Sequence, residues 1–144
     1  SEMCIRGSDN ALREFDLTHL SARGVETLSG GEAQRLALAQ LVAQAPTLYL
    51  LDEPSNHLDL AHQLKGLQRL KEKVTSNRAA LVMASHDINL VSQMCDHVLL
   101  LMGDGSYLAG RVSEILQEEY LSEAFGCRIR RVESGKEAFF FPST

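Results

Sequence analysis

Apolar positions along the chain alternate between a helical rhythm and short continuous runs. From Ser29 to about Gln44 the helical rhythm places Leu36, Ala37, Leu41 and Val42 on one face, and Pro46 stops it. Thr47 to Leu51 is a tightly bounded apolar run, which predicts a strand buried on both faces, as in a parallel sheet. Leu60, Leu64, Leu67, Leu70 and Val74 then keep three-four spacing and predict an amphipathic helix over 60–74, with Asn77 at the following turn. Ala79 to Ala84 reads as a second buried strand, ending at Ser85-His86-Asp87, and a helix follows from Ile88 to Cys95. Ahead of these, residues 1–28 read as helix and loop, with Ala11 to Phe15 a short helical end and Gly24 a turn.

The rest of the chain changes rhythm. Val98 to Met102 and Ser106 to Ala109, joined by Gly103-Asp104-Gly105, predict a hairpin. Helical residues run from Ser113 to Phe125, closed by Gly126. Arg128 to Val132 and Glu137 to Phe141, separated by Ser134-Gly135, predict a last hairpin. Strand, helix, strand, helix in the middle implies right-handed crossovers and a parallel sheet, so the fold class is α/β.

Composition narrows the functions. At 144 residues with 44% hydrophobic, the chain suits one domain with a packed core. A formal charge of −5 lacks a nucleic-acid footprint. Cys4, Cys95 and Cys127 are far apart and form no Cys-x-x-Cys pair, which argues against a disulfide framework or zinc site and for a reducing compartment. No apolar run approaches the roughly 20 residues that span a bilayer, and no signal-peptide pattern opens the chain. Arg128, Arg130 and Arg131 read as a solvated strand face, and Phe139-Phe140-Phe141 as core or cover.

Chemistry concentrates in four places. Leu28-Ser29-Gly30-Gly31-Glu32 combines a capping box, Ser29 with Glu32, and two glycines in the first helical turn. The glycines leave backbone donors uncovered, so a phosphate can approach the helix N-terminus and its dipole. Leu50-Leu51-Asp52-Glu53-Pro54 delivers two adjacent carboxylates to a strand end, costly if buried without a cation or partner. Adjacent strand residues point to opposite faces, so the two should do different jobs. Asp52 can hold Mg²⁺, directly or through water. Glu53 can face an attacking water as general base, a role typically worth roughly 10²–10⁴ in rate. Asn56-His57-Leu58-Asp59 follows, where Asp59 can simply cap the helix at Leu60, and His57 reads as surface. His86 closes the second strand, one crossover from the carboxylates, so both strand ends can share a rim. A neutral imidazole there can hydrogen-bond a γ-phosphate oxygen and orient the water.

Leu28 to Glu32 with Gln34-Arg35, Leu50 to Pro54, Asn56 to Asp59 and Ser85-His86-Asp87 resemble the signature motif, Walker B segment, D-loop and switch histidine of an ABC transporter ATPase. The resemblance implies the C-terminal portion of a P-loop NTPase fold, a parallel-sheet core with flanking helices and C-terminal hairpins. It implies three segments: 1–45, the end of a helical subdomain with the signature helix; 46–112, the C-terminal half of the ATPase core; and 113–144, a helix and hairpin extension. It also implies ATP and Mg²⁺ as cofactors, with Leu28, Ser29, Gly30, Gly31, Glu32 and Asp59 binding nucleotide, Asp52 holding metal, and Glu53 and His86 catalytic. Ser29 and Gly31 would contact the γ-phosphate held by a second copy in a head-to-tail dimer, whereas Asp52, Glu53 and His86 would act in cis. The dimer would sit on the cytoplasmic face of the membrane against transmembrane permease subunits, with no nucleic-acid partner.

The stretch Asp96 to Leu101, Gly105, Ala109-Gly110 and Tyr120 to Gly126 is similar to the ATPases of importers of iron–siderophores, haem and vitamin B12. No Gly-x-x-x-x-Gly-Lys-Ser/Thr loop occurs in the sequence, so the chain resembles a subunit without the half that grips the nucleotide. Alone it is expected to be catalytically silent. Two other readings follow from the same motifs: a soluble ABC-type ATPase acting on ribosomes, whose members carry a stretch like Glu53 to Leu60, and a non-catalytic assembly piece.

Overall fold

A computed structural model of the chain describes residues 9–54, 60–135 and 137–143. The chain divides into two compact units, Ser1–Ala84 and Ser85–Thr144.

In the first unit, residues 9–14 are helical (α1). Two single 3-10 turns, Thr18–Leu20 and Val25–Thr27, lead to α2, Gly30–Gln44. Ala45 ends α2 in the left-handed region at φ 44, one residue before Pro46. Strand β1, Leu48–Asp52, and helix α3, Leu60–Ser76, follow, then β2, Ala80–Ala84. β1 and β2 pair in parallel from Leu48↔Ala80 to Asp52↔Ala84, the arrangement that a strand–helix–strand order demands. Ala11, Phe15, Leu17, Leu20, Leu38, Ala39, Val42, Tyr49 and Leu70 form the core.

Two expectations need correction here. The helix face that enters the core carries Leu38, Ala39 and Val42; Leu36 and Leu41 are half-buried and Ala37 is exposed. Residues 36–39 are all apolar, so a period of 3.6 has no polar phase to lock onto and cannot select the inward face. Nor are the strands covered on both faces. Tyr49 is fully buried, but Leu48, Leu50 and Val82 on the opposite face are 49%, 67% and 58% exposed. A continuous apolar run predicts two covered faces; this chain covers one. In α3, Leu67 and Leu70 are buried and Val74 packs on the core, while the side chains of Leu60 and Leu64 lie outside the described ones.

The second unit begins with α4, Ile88–Met94, capped by Asp87, which accepts from Leu90 N at 3.0 Å. β3, His97–Leu101, pairs antiparallel with β4, Tyr107–Arg111. In their connection Gly105 takes φ 87, the left-handed geometry that glycine accepts without steric cost. The expected helix over 113–125 is two helices: α5, Val112–Ile115, and α6, Glu118–Phe125. The break falls where Leu116 turns inward and is buried, leaving Gln117 extended as the N-cap of α6. The amphipathic rhythm spans the break because Leu116 and Leu121 enter the same core, with Leu100, Ile129 and Phe140. Gly126, at φ 65, closes α6. β5, Ile129–Ser134, and β6, Glu137–Pro142, form the closing hairpin, with Phe140 buried and Phe141 44% exposed.

Candidate functional site

Ser29 has extended backbone and caps α2. Its Oγ accepts from Glu32 N at 3.3 Å, and Glu32 Oε2 accepts from Ser29 N at 2.7 Å, so the capping box is complete. Hydrogen bonding from Ser29, its backbone first and then its side chain, holds the Glu32 carboxyl below the usual carboxylate range, with help from the positive charges of Arg23 and Arg35. A helix leaves its first amides without intrahelical acceptors. The box satisfies Glu32 N, and no side chain of its own covers the backbone at Gly30, which is exposed, or at Gly31, which is half-buried. Leu28 anchors the approach by packing on the first unit's core. Such a donor set suits an anion, and phosphate fits it.

Asp52 ends β1 opposite Ala84. Glu53 is outside the strand, and its backbone turns left-handed at φ 44. Its amide still donates to Ala84 O at 2.9 Å, extending the parallel ladder by one bond. Because Glu53 is beyond the strand and left-handed, the pleat alternation inferred from sequence does not apply to it. The expected desolvation cost does not apply to Asp52, which is exposed; Glu53 is half-buried and Pro54 buried. Among the described residues no group of three His, Cys, Asp or Glu could cage a metal. One carboxylate with phosphate oxygens is, however, a usual Mg²⁺ set, so Asp52 is compatible with that ion.

Gln34 joins these two regions. From the second turn of α2, its Nε2 donates to Pro54 O at 3.3 Å. The capped glycine turn and the carboxylate turn are thus tied within the first unit. In the sequence Gln34 served only to extend a motif; its backbone partner is contributed by a distant residue. Asn56, His57, Leu58 and Asp59 lie outside the described residues. His86 is exposed and belongs to the second unit, two residues beyond the end of β2. Next to it, Asp87 N donates to Ser85 Oγ at 3.1 Å, so a local turn and a capped helix fix its backbone. The three arginines of the last hairpin are largely paired: Arg130 with Glu118 at 3.3 Å and Arg131 with Glu133 at 2.9 Å. Among the described residues, no helix is long and apolar enough to cross a membrane.

Residues 5–56, which include both turns, match the family model described as ABC transporter. That segment is part of an ABC transporter domain. It is 35% identical, over 93% of its length, to the hemin import ATP-binding protein HmuV of Ruegeria sp. (strain TM1040), covering 55% of that protein. It is likewise 35% identical to the cobalamin import ATP-binding protein BtuD of Halobacterium salinarum (strain ATCC 29341), over 84% of this chain and 30% of that protein. Its backbone superimposes on a chain of an inward-facing metal-chelate type ABC transporter with a TM-score of 0.81 and 31% identity, covering 96% of this chain and 57% of that one. The chain spans about half the length of the hemin-import relative, and its α/β fold is that of part of an ABC ATPase.

Proposed function

We propose that this chain is part of the ATP-binding, ATP-hydrolysing subunit of an importer, and that the transported ligand is a metal chelate: an iron–siderophore, haem or cobalamin. The observation that carries the reading is the start of α2. There the Ser29–Glu32 box is closed, and the Gly30 and Gly31 amides, which a helix start leaves without intrahelical acceptors, can serve a phosphate.

In this reading Leu28 to Glu32 receives the γ-phosphate of ATP held by the second copy of a head-to-tail dimer. Asp52 binds Mg²⁺, which neutralises charge on the phosphate oxygens when present. Glu53 takes a proton from the attacking water, and His86 hydrogen-bonds the γ-phosphate and orients that water. Asp59 adds to the contact between copies. The subunit sits at the inner membrane face against permease subunits. The segments 1–45, 46–112 and 113–144 serve as the signature-bearing helical part, the ATPase core and the extension. The chain contains no phosphate loop, so the lysine and backbone cradle for the β- and γ-phosphates come from elsewhere, and residues 1–144 alone do not turn over ATP. The similarity to hemin, cobalamin and metal-chelate transport proteins supports the ligand class.

The test is Ser29→Arg in the ATPase subunit that carries this sequence. A long cation at the cap fills the phosphate's place, so the variant should bind ATP and fail to form the ATP-dependent dimer in sedimentation. A stable ATP-bound Ser29→Arg dimer contradicts the assignment.

A further inference from the structure

The second unit contains a two-ended clamp that no catalytic role accounts for. Asn89 Nδ2 donates to Phe140 O at 2.9 Å, and Asn89 Oδ1 accepts from Phe140 N at 2.7 Å. One side chain thereby satisfies both backbone groups of a single residue, as a neighbouring strand would. Phe140 is opposite Arg131 in the hairpin, and the outer edge of β5 is closed in the same way. Arg131 N donates to Glu118 Oε1 at 2.7 Å, and Ile129 N to Ser122 Oγ at 2.9 Å. Helix side chains thus seal both edges of the hairpin. The seals on β5 come from α6, a close neighbour in sequence. The seal on β6 comes from α4, 51 residues away.

That distance matters because of where α4 begins. Asn89 lies one residue into the helix that Asp87 caps, and His86 immediately precedes Asp87. Ser85 Oγ accepts from Asp87 N, and Asp87 Oδ1 from Leu90 N. These two hydrogen bonds bracket His86 and Asn89 within residues 85–90 and couple the position of the histidine backbone to the start of α4 that carries the clamp. Asn89 is half-buried and Phe140 buried, so losing the amide leaves both backbone groups of a buried residue unpaired.

We propose that Asn89 is a positioning residue for His86, and that the C-terminal hairpin acts, through the Asn89–Phe140 clamp, to hold the histidine in its working position. This rests on the proposed role of His86 in ATP hydrolysis. The hairpin then bears on the rate of the chemical step without touching nucleotide.

The experiment compares Asn89→Ala, Asn89→Asp and Leu121→Ala in the ATPase subunit that carries this sequence. Leu121 is buried in the same core but is no part of the clamp, so Leu121→Ala reports the effect of lost stability alone. Displacing a reacting group by about an ångström lowers rates by up to roughly a hundredfold. Asn89→Ala should lower kcat tenfold or more and leave KM for ATP within about twofold, on the scale of such displacements. Asn89→Asp, which keeps the acceptor for Phe140 N and loses the donor, should fall between it and the parent. Leu121→Ala should lower Tm and keep kcat at temperatures where it is folded. Hydrogen exchange on the 144-residue chain should show the Phe140 amide deprotected by Asn89→Ala. Unchanged kcat once that protection is lost, or an equal loss of kcat in Leu121→Ala, overturns the inference. If Asn89→Ala does not fold, Asn89→Asp decides on the same criteria. Full turnover by Glu53→Gln would instead overturn the hydrolytic reading itself, so the two failures are distinguishable.

Discussion

Glu53 and Ala45 both hold a Cβ-bearing residue in the left-handed region, each at φ 44. Their circumstances differ. Ala45 is an ordinary helix end, where glycine is the residue that avoids the Cβ penalty. Ala45→Gly should raise unfolding stability by about 0.5–1 kcal/mol, the usual gain from relieving such a position less the extra chain entropy of glycine. Equilibrium urea unfolding checks it, and an unchanged or lowered midpoint would mean that Ala45 is unstrained. At Glu53 the same geometry falls on the proposed general base, so the strain sits where chemistry is proposed. The residue identities at the site were legible in sequence: Ser29 and Glu32 at capping-box spacing, Asp52 and Glu53 at the end of an apolar run. The turn at Glu53 was not, because its backbone pairs with Ala84, contributed by a separate strand and distant in sequence.

At the level of elements, local rules worked where the signal was local. The start of α2, the start of α4 at Ile88 and the last hairpin each follow from a few adjacent residues. They failed where tertiary burial decides, as at the break between α5 and α6, where Leu116 is drawn into the core. Glu118, next to that break, offers a pH test. Its carboxyl is held below the usual range, first by the hydrogen bond from the Arg131 backbone and then by Arg130 and Arg128. A folded-state pKa lowered in this way stabilises the fold above the unfolded carboxyl's titration, and the contribution is lost as pH falls through the folded value. Glu118→Gln should therefore lower Tm at neutral pH and have a smaller effect in acid, flattening the acid limb. Thermal melts across pH would show it; an equal loss at every pH would contradict the charge-based origin.

Over the whole molecule, the sequence conveys an α/β chain with a parallel pair but not which faces remain open, since an apolar run says only that it prefers cover. The first unit leaves Leu48, Leu50 and Val82 exposed, and the second leaves Leu99, Leu101 and Tyr107 at 58%, 69% and 65% exposure. Open apolar faces of this kind favour association. The 144-residue chain should self-associate and bind a hydrophobic dye, and Leu50→Lys with Val82→Lys should reduce both, by sedimentation and fluorescence. A monodisperse, dye-free parent chain would contradict this.

The most direct measurement is ATP turnover by Glu53→Gln in the subunit that carries this sequence, made alongside sedimentation with ATP. Removing the proton acceptor while keeping the shape of the side chain should abolish hydrolysis and leave a long-lived ATP-bound dimer. Turnover near that of the unsubstituted subunit would contradict the role of Glu53 and, with it, the proposed mechanism.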